Sequence, residues 1–336
     1  MTNRMAKEPV FDIQNLRTWF PQKKGKAVRA VDDVSLTVYR GETVGIVGES
    51  GCGKSTLGKS VMLLEKPTGG QVLYHYDGEM KDVTKLKKNE LSDFRRRVQM
   101  VFQDPYSAFN PMKRVYTSFH EPLKIQGYKD KAEREEMIAR ALEMVNIQPD
   151  YMLRYPLEFS GGQRQRLCIA RALEVRPEVL ICDEPVSALD VSIQAQVLNL
   201  MKDIQERLGL TYLFIAHDLS VVQYMSDRIV VMYLGKIVES ADCKSLYASA
   251  LHPYTRALLS AIPIPDIHQK QSREVLKGEV PSPLSRPKGC AFHARCRHCM
   301  EICREIEPGM YEAEPGHYAA CHLYGDGAAP EEGGQI

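Results

Sequence analysis

The stretch that decides the fold is G-E-S-G-C-G-K-S-T, which runs from Gly48 to Thr56. Its spacing, Gly-x4-Gly-Lys-Ser, is that of a P-loop, where glycines let successive backbone N–H groups turn toward phosphate oxygens. T-V-G-I-V precedes it and T-L-G-K-S-V-M-L-L follows the lysine and serine, so we expect a buried strand, the loop and then a helix. The loop predicts nucleotide binding, but the same loop serves kinases, GTPases and many ATPases.

The residues of this loop have distinct predicted parts in holding a nucleotide. Lys54 is expected to reach the β- and γ-phosphates, and Ser55 to hold Mg²⁺. The helix that follows adds its positive N-terminal dipole to the site. The predicted nucleotide-binding residues here are Gly48, Glu49, Ser50, Gly51, Cys52, Gly53, Lys54, Ser55 and Thr56.

A pair of carboxylates, Asp183 and Glu184, follows the apolar segment E-V-L-I-C. A carboxylate at the end of a buried parallel strand, beside a P-loop, is placed to bind Mg²⁺ through water, which is the role expected of Asp183. Glu184 could then polarise an attacking water as general base. Taken alone, the pair has a less favoured alternative interpretation as an acidic strand end.

A second candidate anion site begins another predicted helix. Residues 159–163 read F-S-G-G-Q and lead into R-Q-R-L-C-I-A-R-A-L. Backbone N–H groups at a helix N-terminus bind anions. The P-loop of a chain is sufficient to bind the triphosphate of one nucleotide. A second anion site in the same chain is therefore redundant unless it contacts the nucleotide bound to a second subunit. The pattern predicts a dimer with shared sites, to which this chain contributes Ser160, Gly161, Gly162 and Gln163.

The rest of the chain predicts an α/β core with a helical insertion. Between 104 and 175 the pattern is helical, with Ile138, Leu142 and Val145 on one face. Residues 28–47 indicate two antiparallel strands and one buried strand, and a hairpin is expected at Gly235. Further predicted strands cover 98–102, 178–182, 211–216 and 228–233.

Composition limits the classes of partner. The chain has 336 residues and a net charge of +1, so no overall field points to nucleic acid. No run of 18 apolar residues occurs, and the N-terminus lacks the apolar core of a signal peptide. We therefore expect a chain that stays in the cytoplasm. Prolines multiply after about residue 250, which places a boundary there.

Taken together, S-G-G-Q about twenty residues before D-E, with the P-loop upstream, resembles the ATP-binding subunits of ABC transporters. The resemblance implies a P-loop ABC ATPase core: a parallel sheet with an antiparallel β subdomain and a helical subdomain at about 104–175. This ATP-binding domain would span residues 8–250.

The resemblance also assigns roles to single residues. Gln103 in V-F-Q-D-P matches a Mg²⁺ ligand that senses the membrane partner, and Asp190 matches the loop that crosses the dimer. His217 matches the histidine that contacts the γ-phosphate. Phe20 matches the aromatic that stacks on adenine, although the adjacent Trp19 could do so. Without the resemblance, His217 would be interpreted as a core histidine, and Gln103 could equally be a polar strand end.

The C-terminal part resembles one branch of this family, the oligopeptide, dipeptide and nickel importers. The similar segments are H-P-Y-T-R-A-L-L-S-A-I-P (252–263) and G-C-A-F-H-A-R-C. They imply a small Cys-rich C-terminal domain over 251–325, while the composition of 326–336 predicts a disordered tail.

The cysteine pattern of that branch maps to Cys290, Cys296, Cys303 and Cys321. Four thiolates in a short segment suit a [4Fe–4S] cluster or tetrahedral Zn²⁺, and the resemblance favours iron–sulfur. Cys299 is extra to the pattern and could replace a ligand. Free thiols are a third interpretation, and nearby histidines keep zinc open: His293, His298, His317 and His322.

The resulting prediction is a peripheral ATPase on the cytoplasmic face of the cell (inner) membrane that drives import of di- or oligopeptides or a related solute. Its expected partners are two integral-membrane permease subunits, a second ATP-binding subunit, identical or related, and an extracytoplasmic solute-binding protein. Nucleic acid is not expected. The alternatives are a soluble ABC ATPase of DNA repair or ribosome handling, and an ATPase-gated metal or redox sensor.

Overall fold

A computed structural model describes residues 8–23, 26–262, 276, 278–279 and 281–325. The predicted disordered tail at 326–336 lies outside the described residues. Two β-sheets form the centre of the fold. Their strands are β1 (Pro9–Pro21), β2 (Ala27–Tyr39), β3 (Thr43–Val47), β4 (Gly69–Tyr76), β5 (Glu79–Asp82), β6 (Val98–Val101), β7 (Val179–Asp183), β8 (Thr211–Ile215), β9 (Arg228–Tyr233), β10 (Lys236–Asp242), β11 (Tyr311–Glu314) and β12 (His317–Ala319).

Helices surround these sheets. Among the described residues, no helix combines the length and the apolar character that a membrane crossing needs. The helices are α1 (Lys54–Val61), α2 (Lys88–Arg97), α3 (Val115–Ile125), α4 (Lys131–Met144), α5 (Gly161–Leu173), α6 (Val191–Leu208), α7 (Leu219–Met225), α8 (Cys243–Ala248), α9 (Pro253–Ser260) and α10 (Glu301–Glu305).

The larger sheet has the strand order β11-β12-β10-β9-β3-β8-β7-β6. Strands β6, β7, β8, β3 and β9 pair in parallel, and every residue of β3, β7 and β8 is buried. Continuous apolar strands are expected where helices cover both faces of a parallel sheet. The P-loop strand β3 therefore lies at the middle of the sheet.

The smaller sheet is antiparallel, with the order β2-β1-β4-β5. Residues 28–38 were expected to form two strands, but they belong to the single strand β2, whose antiparallel partner is β1. The pair Asp32-Asp33 makes no turn. Instead, Asp33 has a φ of 64° and is the extra residue at a shift in the β1–β2 register, as in a β-bulge.

The helical insertion and one hairpin agree with the sequence pattern. Ile138, Leu142 and Val145 are all fully buried, as their common face predicts. Strands β9 and β10 form an antiparallel hairpin, in which Gly235 has a φ of 82°. Both predictions are confirmed.

The C-terminal residues share the sheet and core of the preceding part. Strand β12 pairs with β10, so the β11–β12 hairpin extends the larger sheet at its edge. Phe292 packs against Tyr233 and Tyr254, with ring centroids 5.3 and 5.4 Å away. A separate Cys-rich domain over 251–325 stays a prediction.

A buried histidine at the start of α9 gives the fold a pH dependence. His252 Nδ1 accepts the backbone N–H of Tyr254 at 3.1 Å. The backbone N–H of His252 donates to Glu239 Oε2 at 2.9 Å. Burial lowers the pKa of His252 to about 4, with Glu239 opposing the shift and Arg256 adding to it. The folded histidine is therefore neutral at pH values where the unfolded one takes a proton.

We expect the free energy of unfolding to fall as the pH is lowered from about 6.5 toward 4, because protons then bind the unfolded chain preferentially. The histidine contributes about 3 kcal/mol at most to this loss. Urea unfolding at pH 7.5 and pH 5 measures it. His252→Asn keeps a helix-capping acceptor without the titration, so its stability should change less between the two pH values. Equal changes in both proteins would contradict the assignment.

Candidate functional site

The P-loop leaves the buried strand β3 and wraps into helix α1. Gly48 has a φ of 149° and Gly53 a φ of 108°. A Cβ at Gly48 would lie 2.2 Å from the Met232 carbonyl oxygen, and one at Gly53 would lie 1.9 Å from that of Ala30. Both positions therefore need glycine, because the conformation and the space exclude a side chain.

Lys54 points back into this loop. Its ammonium group donates to the carbonyl oxygens of Gly48 at 2.7 Å and Glu49 at 3.1 Å, and the side chain is buried. Desolvating an ammonium group is costly unless it has partners. The loop thus concentrates a positive charge at the centre of the predicted phosphate site.

Ser55 and Asp183 form the predicted Mg²⁺ pair. The Ser55 hydroxyl donates to Asp183 Oδ1 at 2.6 Å, which joins the start of α1 to the end of β7. Burial raises the pKa of Asp183, although the Ser55 hydrogen bond and Lys59 oppose the shift. A hydroxyl and a carboxylate oxygen this close are ligands of the kind that Mg²⁺ prefers, so the residues fit the ion.

Gln103, Glu184 and His217 meet at one carboxylate. Glu184 Oε2 accepts from the Gln103 amide at 2.9 Å and lies 3.0 Å from His217 Nδ1. Glu184 has a φ of 47°, an uncommon conformation for a residue with a side chain, and its N–H donates to the Ile215 carbonyl at 2.9 Å. Gln103, Glu184 and His217 follow the neighbouring parallel strands β6, β7 and β8, which brings their side chains together. A cavity of about 170 Å³ adjoins Glu184 and His217.

The S-G-G-Q residues lie at the N-terminus of α5. Ser160 and Gln163 form a reciprocal capping box, with N···O distances of 3.3 and 3.0 Å. A Cβ at Gly162 would meet Ile193 at 2.4 Å, so the glycine permits close packing of α5 on α6. Ser160 and Gln163 are exposed, and the P-loop lies on other elements. This chain's fold presents the motif outward.

Two further predicted residues take local roles. Asp190 caps α6 by accepting the Ile193 N–H at 3.1 Å. Phe20 is half-buried near the end of β1. The neighbouring Trp19 donates its indole N–H to Asp32 at 3.1 Å, and the Arg29 guanidinium lies 4.5 Å from its ring centroid.

The four predicted cluster cysteines are neighbours in space. Burial raises the pKa of Cys290 to about 12 and that of Cys296 to about 11, and the thiols of Cys303 and Cys321 add to both shifts. Within the described part of the chain, no group of three or more His, Cys, Asp or Glu side chains is arranged closely enough to hold a metal ion.

One contact to the P-loop was not predicted from the sequence. Arg295 binds the Glu49 carboxylate through two hydrogen bonds of 2.8 and 3.0 Å. The Glu49 N–H donates to the Tyr254 hydroxyl at 2.8 Å. Tyr254 and Arg295 lie in the two C-terminal segments that resemble the importer branch, but neither segment indicates a contact with Glu49, more than 200 residues away.

A glycine-rich phosphate loop on the central strand of a parallel sheet, with a carboxylate at the end of a nearby strand, defines a P-loop nucleotide-binding protein. Two family profiles refine this class. Residues 31–187 match the profile described as ABC transporter, and residues 238–303 match the oligopeptide/dipeptide transporter C-terminal region. The chain belongs to the ABC transporter family of ATP-binding proteins and is an ABC-type ATPase.

Similar proteins span nearly the whole chain. The oligopeptide transport ATP-binding protein AppF of Bacillus subtilis is 49% identical, over 94% of this chain and 98% of its own length. A putative peptide import ATP-binding protein of Brucella ovis is also 49% identical, with the same two coverages.

Solved structures share the cassette fold. The ATP-binding cassette MJ0796, a dimer bound to ADP and Pi, is 28% identical with a TM-score of 0.61, over 69% of this chain and 98% of its own. The cbiO1 protein of Clostridium perfringens is 26% identical with a TM-score of 0.62, over 72% and 92%. The predicted ABC ATPase core with its mixed α/β sheets is confirmed.

Proposed function

We propose that this chain is the ATP-hydrolysing subunit of an importer for di- or oligopeptides or a related small solute, bound at the cytoplasmic face of the cell membrane. The observation that carries the proposal is the 49% identity, over 94% of the chain, to proteins whose names give oligopeptide transport and peptide import. The match of residues 238–303 to a transporter-specific C-terminal region supports it further. These relatives favour import over DNA repair, ribosome handling or metal sensing.

In the proposed hydrolytic site, we assign each residue a part. The P-loop N–H groups and Lys54 bind the triphosphate, with Ser55, Asp183 and Gln103 as the ligands of Mg²⁺. The ion, when bound, neutralises charge on the β- and γ-phosphates. Glu184 takes the proton of the attacking water, and His217 and Gln103 hold its carboxylate in position through Oε2.

The outward-facing α5 N-terminus supports a second ATP-binding subunit as partner. Ser160, Gly161, Gly162 and Gln163 would close over the nucleotide of that subunit, with Asp190 at the junction. For adenine stacking, Phe20 is the better candidate, because Arg29 and Asp32 already hold Trp19.

A groove next to Gln103 supports a membrane-protein partner. Leu64 and Phe102 line it, although 48% and 40% of their surfaces are exposed. Glu174 lines it too, and its Oε2 is buried without a hydrogen-bond partner among the described residues. Burial raises the pKa of Glu174 well above its usual range. A groove that combines exposed apolar side chains with polar ones and an unsatisfied carboxyl fits a helix of the permease subunits.

Leu64→Asp is expected to lower recovery with the permeases about tenfold, because a charge in an apolar contact must be desolvated. ATP hydrolysis by the isolated chain should stay near wild type. Affinity purification from detergent-solubilised membranes measures the recovery. Leu208→Asp, at a residue 45% exposed on α6, is the matched control and should retain the permeases. Equal recovery of both variants would contradict the groove assignment.

The cysteines support a proposed metal centre, with Cys290, Cys296, Cys303 and Cys321 as its ligands. Four thiolates from one short segment suit a [4Fe–4S] cluster. Zn²⁺ is the alternative for the same four thiolates. Among the described residues, the thiols are not arranged closely enough to hold a metal ion. They nevertheless lie in one segment, and Cys296, Cys303 and Cys321 interact electrostatically with Cys290.

The experiment that tests the function is reconstitution. The chain is combined in proteoliposomes with the permeases and solute-binding protein with which it co-purifies, and uptake of a labelled peptide mixture is measured with and without ATP. Uptake that depends on ATP, and that Lys54→Ala abolishes, is expected. Recovery with ribosomes or DNA, and no permease partner, would contradict the proposal.

A further inference from the structure

The Glu49 carboxylate places a negative charge within the phosphate-binding loop. Glu49 directly follows Gly48, and its carbonyl oxygen accepts from the Lys54 ammonium at 3.1 Å. A carboxylate beside a site for a polyanion opposes binding unless another charge offsets it. The loop therefore contains a feature that works against its own ligand.

Arg295 supplies the offsetting charge from a remote part of the chain. Its guanidinium forms a two-pronged pair with both carboxylate oxygens, at 2.8 and 3.0 Å. The Arg295 side chain is 7% exposed and that of Glu49 is 26% exposed. A paired fork of this kind fixes orientation as well as charge.

The surroundings hold Arg295 in place. It ends a short 3₁₀ turn, His293–Arg295, and its N–H donates to the Phe292 carbonyl at 2.9 Å. The guanidinium lies 5.9 and 6.0 Å from the rings of Tyr233 and Phe292. Those rings pack on Tyr254, whose hydroxyl accepts the Glu49 N–H. The C-terminal segment thus holds both the side chain and the main chain of Glu49.

We propose that Arg295 is a positioning residue for ATP, which neutralises Glu49 and braces the P-loop from the C-terminal segment. The inference rests on the proposed function, since it assumes that the loop binds ATP. Arg295 lies between Cys290 and Cys296. A structural change at these cysteines would therefore alter the nucleotide site through the contact between Arg295 and Glu49.

The test is equilibrium binding of the non-hydrolysable analogue AMP-PNP to the full chain, by calorimetry. Arg295→Ala should weaken binding about tenfold, while adenosine, which has no phosphates, should bind as before. Arg295→Ala combined with Glu49→Gln should recover to within about threefold of wild type, because the repelling charge is then gone. A merely structural role would not give this recovery. Arg304→Ala, at an exposed arginine of α10, is the matched control and should leave binding unchanged.

The arms of the experiment separate the inference from the function. AMP-PNP binding by the wild-type chain but not by Lys54→Ala supports ATP binding at the P-loop. If the wild-type chain does not bind AMP-PNP, the proposed function is wrong. If the analogue binds wild type and Arg295→Ala equally, or if Glu49→Gln gives no recovery, the inference about Arg295 is wrong. Arg295→Lys keeps the charge and should bind more tightly than Arg295→Ala, which tests the point if the alanine variant folds poorly.

Discussion

Glu184→Gln is expected to lower ATP hydrolysis by about 10² to 10⁴-fold while ATP binding stays intact. Glutamine has nearly the shape of glutamate and can still bond with Gln103 and His217, but its amide cannot take a proton from water. The P-loop contacts of Lys54 and the Ser55–Asp183 pair do not involve the Glu184 side chain. The lost step is therefore proton transfer, and phosphate release under saturating ATP measures it.

Because this variant should bind ATP but hydrolyse it very slowly, the ATP-bound dimer should accumulate. Size-exclusion chromatography would detect that dimer. Glu206→Gln, on the exposed face of α6, provides the control for loss of a carboxylate and should hydrolyse ATP normally. Wild-type turnover by Glu184→Gln would remove Glu184 from the role of base.

The parts of the fold that local pattern decides were predictable. The apolar run of β3, the glycines after it and the helical start at Lys54 lie within one short stretch, and neighbouring residues determine each element. The single face of Ile138, Leu142 and Val145 is likewise a local property. The addition of β12 to β10 joins segments that are far apart in the chain, and the pairing of β2 with the preceding strand β1 depends on register. Local periodicity records neither of these.

The candidate site divides in the same way. Each of its motifs stands at the end of a strand or the start of a helix, so the residue types were identifiable from the sequence. The meeting of Gln103, Glu184 and His217 at Oε2 was not predicted, because sheet order rather than spacing produces it. The resemblance gave these residues separate roles. The pair of Arg295 and Glu49 joins residues 246 positions apart, and an arginine in a Cys-rich segment has no pattern that identifies its partner.

The prediction for the cysteine segment concerns the presence or absence of a whole iron–sulfur cluster. Protein purified without oxygen is expected to be brown and to contain about four irons and four inorganic sulfides per chain, because a cubane bound by four thiolates has that composition. Cys303→Ser should lose most of this iron. Cys303 is buried, and its carbonyl accepts the Cys290 N–H at 2.8 Å, so it joins the two halves of the segment.

Loss of the cluster should also destabilise the segment around it, because metal binding supplies folding free energy where little regular structure exists. Residues 285–310 contain only a short 3₁₀ turn and the five-residue helix α10. Faster hydrogen exchange there in Cys303→Ser would report this change. Cys299→Ser is the matched control, since Cys299 is extra to the four-cysteine pattern, and it should keep its iron. A colourless anaerobic preparation with one zinc per chain would replace the cluster by Zn²⁺, and iron loss in Cys299→Ser but not in Cys303→Ser would reassign the fourth ligand.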